Sequence, residues 1–243
     1  MNDAFSPKVS IIIVTKNAAE HIAGCLDSIF SQEYRNLEIV LYDAVSNDGT
    51  QQILESYGSK IAFWKSEPDG GIYDAMNKAF RHISGDWVYF MGADDRLLSA
   101  FSSFIANELR DETKIYYANV MYKGEKTKGE VSPYEQAKHG IFHQTIVYPS
   151  SVFRKYSYDP KYKISADYAL NMQLYGDRAY EFVYRDYVIA YYNDKGLSSY
   201  VVDEEFIKVK ESLIMQNFGW NVKLRFWFRA LKARLKGRDK DSI

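Results

Sequence analysis

The chain has 243 residues, 47% hydrophobic and 26% charged, a mixture that can bury a core and that excludes a disordered, collagen-like or disulfide-stapled molecule. Its 31 Lys and Arg balance 32 Asp and Glu for a formal net charge of -1, which argues against a protein built to coat nucleic acid. The single cysteine, Cys25, and four histidines without CxxC or HExxH spacing leave no internal disulfide or structural zinc site to expect, and fit a reducing compartment.

Met1 to Lys8 is polar, and the apolar run Val9 to Val14 is too short for a signal segment or a membrane span, so the expected location is the cytoplasm. That run is β-branched and uninterrupted, as in a strand buried on both faces. Ile22, Cys25, Leu26, Ile29 and Phe30 then fall on one helical stripe. Leu37 to Tyr42 reads as a second strand ending at Asp43, and the polar turn Ser46-Asn47-Asp48-Gly49-Thr50 leads into a short helix through Tyr57. A third strand is expected at Ile61 to Trp64, then a loop through Pro68, Asp69, Gly70 and Gly71, then a helix burying Ile72, Met76, Ala79, Phe80 and Ile83. Trp87 to Met91 makes a fourth strand, ending at Gly92-Ala93-Asp94-Asp95. This alternation predicts an α/β fold with a mostly parallel central sheet flanked by helices.

Beyond Phe101 the rhythm loosens into a helix to Leu109, a strand over Ile115 to Tyr122, and a charged, solvated loop from Lys123 to Glu130. Ile146 to Tyr148, Tyr180 to Tyr184 and Tyr187 to Tyr192 read as further strands, and Asp167 to Tyr175 as a helix. Asp203, Glu204 and Glu205 suit the start of a long helix carrying Phe206, Val209, Leu213 and Ile214. The expected organisation is a domain over 1–200, with halves 1–98 and 99–200, and a helical extension over 201–243. In its tail, Phe218 to Lys240, the residues Trp220, Leu224, Trp227, Phe228, Leu231 and Leu235 share one side of a helix, with Arg225, Arg229, Lys232, Lys236 and Lys240 opposite and Lys223 and Arg234 flanking. Phe226 and Arg238 depart from the pattern. Such a helix either lies on an anionic membrane or packs on its own domain or a second copy.

Polar residues collect where the predicted strands end, the place where open α/β sheets hold ligands: Thr15, Lys16 and Asn17, then Asp43, then Asp94 and Asp95. An adjacent Asp pair elsewhere is an ordinary turn former, but two carboxylates directly after a buried strand supply hard oxygen ligands for Mg²⁺ or Mn²⁺ shared with substrate phosphates. GxGxxG, GxxxxGK[ST] and GxSxG are all absent, which takes the main support from the dinucleotide-binding, P-loop and α/β-hydrolase readings.

The ordered set Val9-Ser10-Ile11-Ile12-Ile13-Val14-Thr15-Lys16-Asn17, Tyr42-Asp43, Ser46-Asn47-Asp48-Gly49-Thr50 and Asp94-Asp95 resembles family 2 glycosyltransferases of the GT-A fold. Glu67-Pro68-Asp69-Gly70-Gly71-Ile72-Tyr73-Asp74-Ala75-Met76-Asn77-Lys78, His143-Gln144 and Ile164-Ser165-Ala166-Asp167-Tyr168 resemble a bacterial branch that builds surface polysaccharides. The resemblance implies an inverting transfer from a nucleotide-diphospho-sugar to the hydroxyl of a glycan or lipid-linked sugar, assisted by Mn²⁺ or Mg²⁺. It implies Thr15, Asn17 and Asp43 at the nucleotide, Asp43 accepting a ring N–H. Asp94 and Asp95 would sit at the diphosphate and metal, Asp95 as the direct metal ligand, and Asp167 would be the catalytic base. Asp167 as a helix N-cap is the plainer alternative. Asp69 and Asp74 either line the donor crevice or serve as turn and first-turn residues, and His143 either meets the diphosphate or acceptor or is structural. Gly92, Ala44 and Gly70 depart from the commoner residues of the family at their positions. A sugar nucleotidyltransferase and a catalytically degenerate glycan-binding or scaffold relative are the competing readings.

Overall fold

The β-branched run forms β1 (Val9–Thr15), buried at every residue but Val14. Its successive side chains enter two different cores, Ile12 on one side of the sheet and Ile11 and Ile13 on the other, which is why the run has no polar alternation. The computed structural model describes residues 6–193 and 202–235. After β1 come α1 (Ile22–Phe30), β2 (Leu37–Asp43), α2 (Thr50–Tyr57), β3 (Phe63–Ser66), α3 (Ile72–Ala79) and β4 (Trp87–Gly92). The second half holds β5 (Arg96–Leu97), α4 (Ala100–Glu108), β6 (Lys114–Tyr122), β7 (Glu125–Lys126), α5 (Pro133–His139), β8 (Ile146–Pro149), α6 (Ser151–Lys155), α7 (Ala166–Gly176) and β9 (Glu181–Tyr192). Two further helices, α8 (Glu204–Asn217) and α9 (Trp220–Leu235), close the described chain.

Among the described residues the strands form one sheet in the order β3-β2-β1-β4-β8-β6-β9-β5, with β7 hairpinned onto β6. The first four are parallel. Strand β8 runs antiparallel to both β4 and β6, whereas β9 is parallel to β6. Helices α1 and α4 cover one face through Leu26, Ile29, Phe101 and Phe104, and α3, α7 and α8 cover the other through Met76, Ala79, Leu170 and Phe206. The parallel strands β1 to β4 therefore point their carboxyl ends at one edge of the layered core.

Several expected boundaries shift. Strand β3 starts two residues late because Ile61 closes a 3₁₀ turn and the β2 register begins at Val40 and Phe63. The two strands expected over Tyr180 to Tyr192 are one, β9, with an irregularity opposite Asn119. The fully buried Asn119 amide fills that irregularity, donating to Tyr184 Oη at 2.8 Å, Asp186 Oδ1 at 3.1 Å and the Tyr187 carbonyl at 3.1 Å. The Lys123 to Glu130 loop contains β7, and α5 was not anticipated. Its N-terminus is built by a reciprocal Ser132 and Glu135 cap with Pro133 in the first turn. In α3 the buried aromatic residue is Tyr73, while Ile72 is 36% exposed.

The tail helix packs on its domain by the side opposite its apolar stripe. Phe226, the residue that broke the apolar stripe, is buried with Val222, its ring 5.0 Å from that of Tyr134 on α5. Lys236, Arg238 and Lys240 lie outside the described residues.

Candidate functional site

A cleft of about 1190 Å³ opens at the carboxyl ends of β1 and β4, walled by the start of α3, the segment 139–144 and the start of α7. It brings together Thr15, Asn17, Asp69, Asp94, His143 and Asp167. Asp43, Asp74 and Asp95 are not on its walls.

At the β1 and β2 end, the buried Thr15 hydroxyl has no hydrogen-bond partner among the described residues. A buried hydroxyl left unpaired beside a cleft is a group for a ligand to satisfy. Asp43, expected at the nucleotide, is instead fully buried: Ser46 N–H at 3.0 Å, the Ser66 hydroxyl at 2.6 Å and the Ser46 hydroxyl all donate to its carboxylate. Ala44 lines the cleft in its place. The Ser46 to Thr50 turn is a staple between the loops after β1 and β2. Ser46 Oγ accepts from Asn17 N–H at 2.7 Å, Asp48 from Ala19 N–H at 3.0 Å, and Thr50 Oγ1 from Ala18 N–H at 2.8 Å. Asn17, with φ of 50°, completes the staple by accepting from Asn47 N–H at 3.1 Å.

After β4 the two aspartates part company. Asp94 is partly exposed on the cleft wall, whereas Asp95 is fully buried and accepts from Gly92 N–H at 2.9 Å and Asn193 N–H at 3.0 Å. Burial pushes the Asp95 carboxyl up to about 6, against the pull of those two N–H groups. Of the two carboxylates, Asp94 is the one on the cleft wall, while the Asp95 oxygens are turned into the backbone. Gly92 belongs to the same turn: a Cβ there would lie 2.8 Å from Asp95 Oδ2 and 3.0 Å from Asp94 Oδ1. Among the described residues no three His, Cys, Asp or Glu side chains gather as a metal site. Mn²⁺ or Mg²⁺ would take the Asp94 carboxylate and complete its shell with ligand oxygens and water, a usual arrangement for such ions.

Across the cleft, Asp167 sits within the first turn of α7, which Ser165 precedes as N-cap, so it does not cap the helix. The Tyr73 hydroxyl lies 2.6 Å from Asp167 Oδ1 and 2.7 Å from the Ile164 carbonyl. Asp203 holds the same turn from α8, accepting from Ile164 N–H at 2.9 Å and Ser165 N–H at 3.0 Å while capping its own helix at Phe206 N–H. Tyr73 and Asp203 are the supports that sequence reasoning missed. Tyr73 is spaced three and seven residues before Met76 and Phe80, a usable signal. His143 Nε2 is 2.9 Å from Tyr158 Oη, and burial lowers its pKa although Asp167 opposes this, so it is neutral near pH 7.

Asp69 Oδ1 accepts from Gly71 N–H at 2.9 Å and still borders the cleft. Asp74 faces away: it accepts from Gly70 N–H at 2.9 Å and pairs with Lys78 at 3.2 Å, the Gly70 contact first among the causes that lower its carboxyl. Lys163, at 3.4 Å from the Gly70 carbonyl, adds a rim cation that the motifs did not mark. Gly140 lets segment 139–142 reach the cleft, since its φ is 76° and a Cβ would lie 3.1 Å from the Tyr168 ring.

The family model described as glycosyl transferase family 2 matches residues 10–180. A PGL/p-HBAD biosynthesis glycosyltransferase of Mycobacterium bovis is 32% identical over 217 residues, covering 84% of each chain. Among solved structures, S. aureus TarS matches 89% of this chain with a TM-score of 0.71 and 19% identity, and the chain spans 41% of TarS. The mannosyltransferase PcManGT from Pyrobaculum calidifontis, solved with GDP-Man and Mn²⁺, matches 88% of this chain with a TM-score of 0.62 and 19% identity, and 63% of that protein is covered. The fold is thus GT-A, and the chain belongs to glycosyl transferase family 2.

Proposed function

We propose that this glycosyltransferase moves a sugar from a nucleotide-diphospho-sugar to an acceptor hydroxyl with inversion at the anomeric carbon. The observation that carries the reading is the single cleft holding the unpaired Thr15 hydroxyl, the Asp94 carboxylate and the Asp167 carboxylate. Thr15 and Asn17 lie at the nucleotide end, Asp69 and Lys163 along the rim, with 1–98 as the donor half and 99–200 as the acceptor half. Neighbours solved with UDP, with UDP-GlcNAc and with GDP-Man and Mn²⁺ support this donor class.

In the reaction the acceptor oxygen forms a bond to the anomeric carbon as the bond from that carbon to the diphosphate breaks. Asp167 takes the hydroxyl proton, which becomes acidic as the bond forms, so a carboxylate suffices as base. The nucleoside diphosphate leaves from the opposite face, and one displacement inverts the centre. Tyr73 holds the base by its short hydrogen bond, and neutral His143 brings no extra charge to the wall. When bound at Asp94, a divalent ion supplies charge neutralisation for the diphosphate. Asp43 and Asp95 act beneath the surface, fixing the two loops. We place the enzyme in the cytoplasm, with an acceptor hydroxyl on a bacterial surface glycan or its lipid-linked precursor.

Thermal-shift screening against UDP-, GDP-, dTDP- and CMP-sugars, with Mn²⁺ or with EDTA, tests the donor half. One nucleotide class should raise the melting temperature, and only with Mn²⁺. No shift with any of them would overturn the reading.

A further inference from the structure

We infer that the outward face of α9 is a docking surface for an anionic lipid bilayer. The helix is held to its own domain by Val222 and Phe226, with the Arg225 guanidinium 4.0 Å over the Tyr134 ring. At about 3.6 residues per turn the opposite side carries Trp220, Leu224, Trp227 and Leu231 as one stripe with Phe228 at its margin. These side chains are 75%, 47%, 55%, 39% and 58% exposed, respectively. The domain therefore does not cover the apolar stripe; it occupies the other face. A monomer that leaves two indoles and a phenyl ring of one helix in water is presenting an interaction site.

Charge selects the occupant. From Trp220 to Leu235 the helix contains Lys223, Arg225, Arg229, Lys232 and Arg234 and no Asp or Glu, although the whole chain is nearly neutral. By helical spacing Lys223 borders one margin of the stripe, and Lys232, which the pattern grouped with the basic residues opposite, borders the other beyond Phe228. A second copy would bring like charges together, whereas anionic headgroups complement them while the aromatic rings enter the interface. No helix among the described residues is long and apolar enough to cross a membrane, so the contact is peripheral. Helix α9 lies on α5, whose last residue, His139, borders the cleft. Through α5 the docked helix is joined to the 139–144 wall of the cleft, so a docked enzyme would hold its cleft close to an acceptor attached to an amphiphile. That consequence for the acceptor rests on the proposed transfer reaction; the docking does not.

The test is flotation of the full chain with phosphatidylcholine vesicles, with and without about one third phosphatidylglycerol, compared with the variant Trp220→Ser/Trp227→Ser/Phe228→Ser and with Lys223→Glu/Lys232→Glu. The chain should float only with the anionic vesicles, high salt should release it, and each variant should bind at least about tenfold more weakly. Melting temperature and nucleotide-induced shift, read on the same samples, report the fold and the donor cleft separately. Failure of the folded chain to float, equal flotation of the first variant, or a dimer that this variant converts to monomer would overturn the proposal.

Discussion

Tyr73 and Asp167 show how the candidate base is oriented. A hydroxyl at 2.6 Å fixes one carboxylate oxygen and the turn behind it, and hydrogen bonds to charged groups are among the stronger ones. Tyr73→Phe keeps the ring's packing against Tyr158 and removes only the hydroxyl's contacts with Asp167 and the Ile164 carbonyl. Release of nucleoside diphosphate should slow roughly tenfold or more, with KM for the donor unchanged. An equal loss of donor affinity would make Tyr73 part of the donor wall instead. The same scale explains what the sequence concealed. Asp43, Asp94 and Asp95 lie at strand ends, but the direction of each carboxylate is decided by backbone N–H groups and hydroxyls, some of them distant in sequence. Ser46 and Ser66 turn Asp43 inward, Gly92 and Asn193 turn Asp95 inward, and only Asp94 remains at the cleft.

Among the elements, the amino ends of the parallel strands carry a buried carboxylate with no place in the cleft. Glu38 on β2 binds Lys8 at 2.6 Å, the Ser10 hydroxyl on β1, and Ser84 and Gly85 ahead of β4. Burial alone would raise its pKa, but hydrogen bonds from Lys8, Ser10 and Ser84 outweigh burial and bring it down from 4.5 to about 2. Its folded pKa lies below its unfolded one, so the stabilisation is complete above about pH 4.5 and is lost as pH falls through about 2. Because Lys8 is a third exposed, Glu38→Gln should cost about 1–2 kcal/mol at pH 7 rather than the full shift. Urea unfolding should show that deficit shrinking by more than half at about pH 3. A deficit independent of pH would assign the loss to packing instead. Elements like β1 and β4 were legible because a strand buried on both faces writes a continuous apolar run. Helix α5 was not, since it buries only Gln136 and Ala137 and its evidence is a capping box. Strand β9 looked like two because its middle residues, Val183 to Tyr187, are only partly buried or exposed and span the irregularity at Asn119.

At the scale of the molecule, one sheet carries both halves, so separated sequence segments meet at its carboxyl edge. The order of motifs made the family legible, and the strand ends located the cleft. The tail was legible as an amphipathic helix but not in its orientation: which stripe packs inward depends on Tyr134, a residue some ninety positions away. The transfer reaction we propose divides the labour across the cleft, with Asp94 serving the cation and diphosphate and Asp167 serving the acceptor. Calorimetric titration of the nucleoside diphosphate selected by the donor screen, with Mn²⁺, into wild type, Asp94→Ala and Asp167→Asn tests it most directly. Wild type should bind only with Mn²⁺, Asp94→Ala should lose at least about tenfold in affinity, and Asp167→Asn should stay within about threefold of wild type. Equal binding by Asp94→Ala and wild type, or equal loss in both variants, would contradict it.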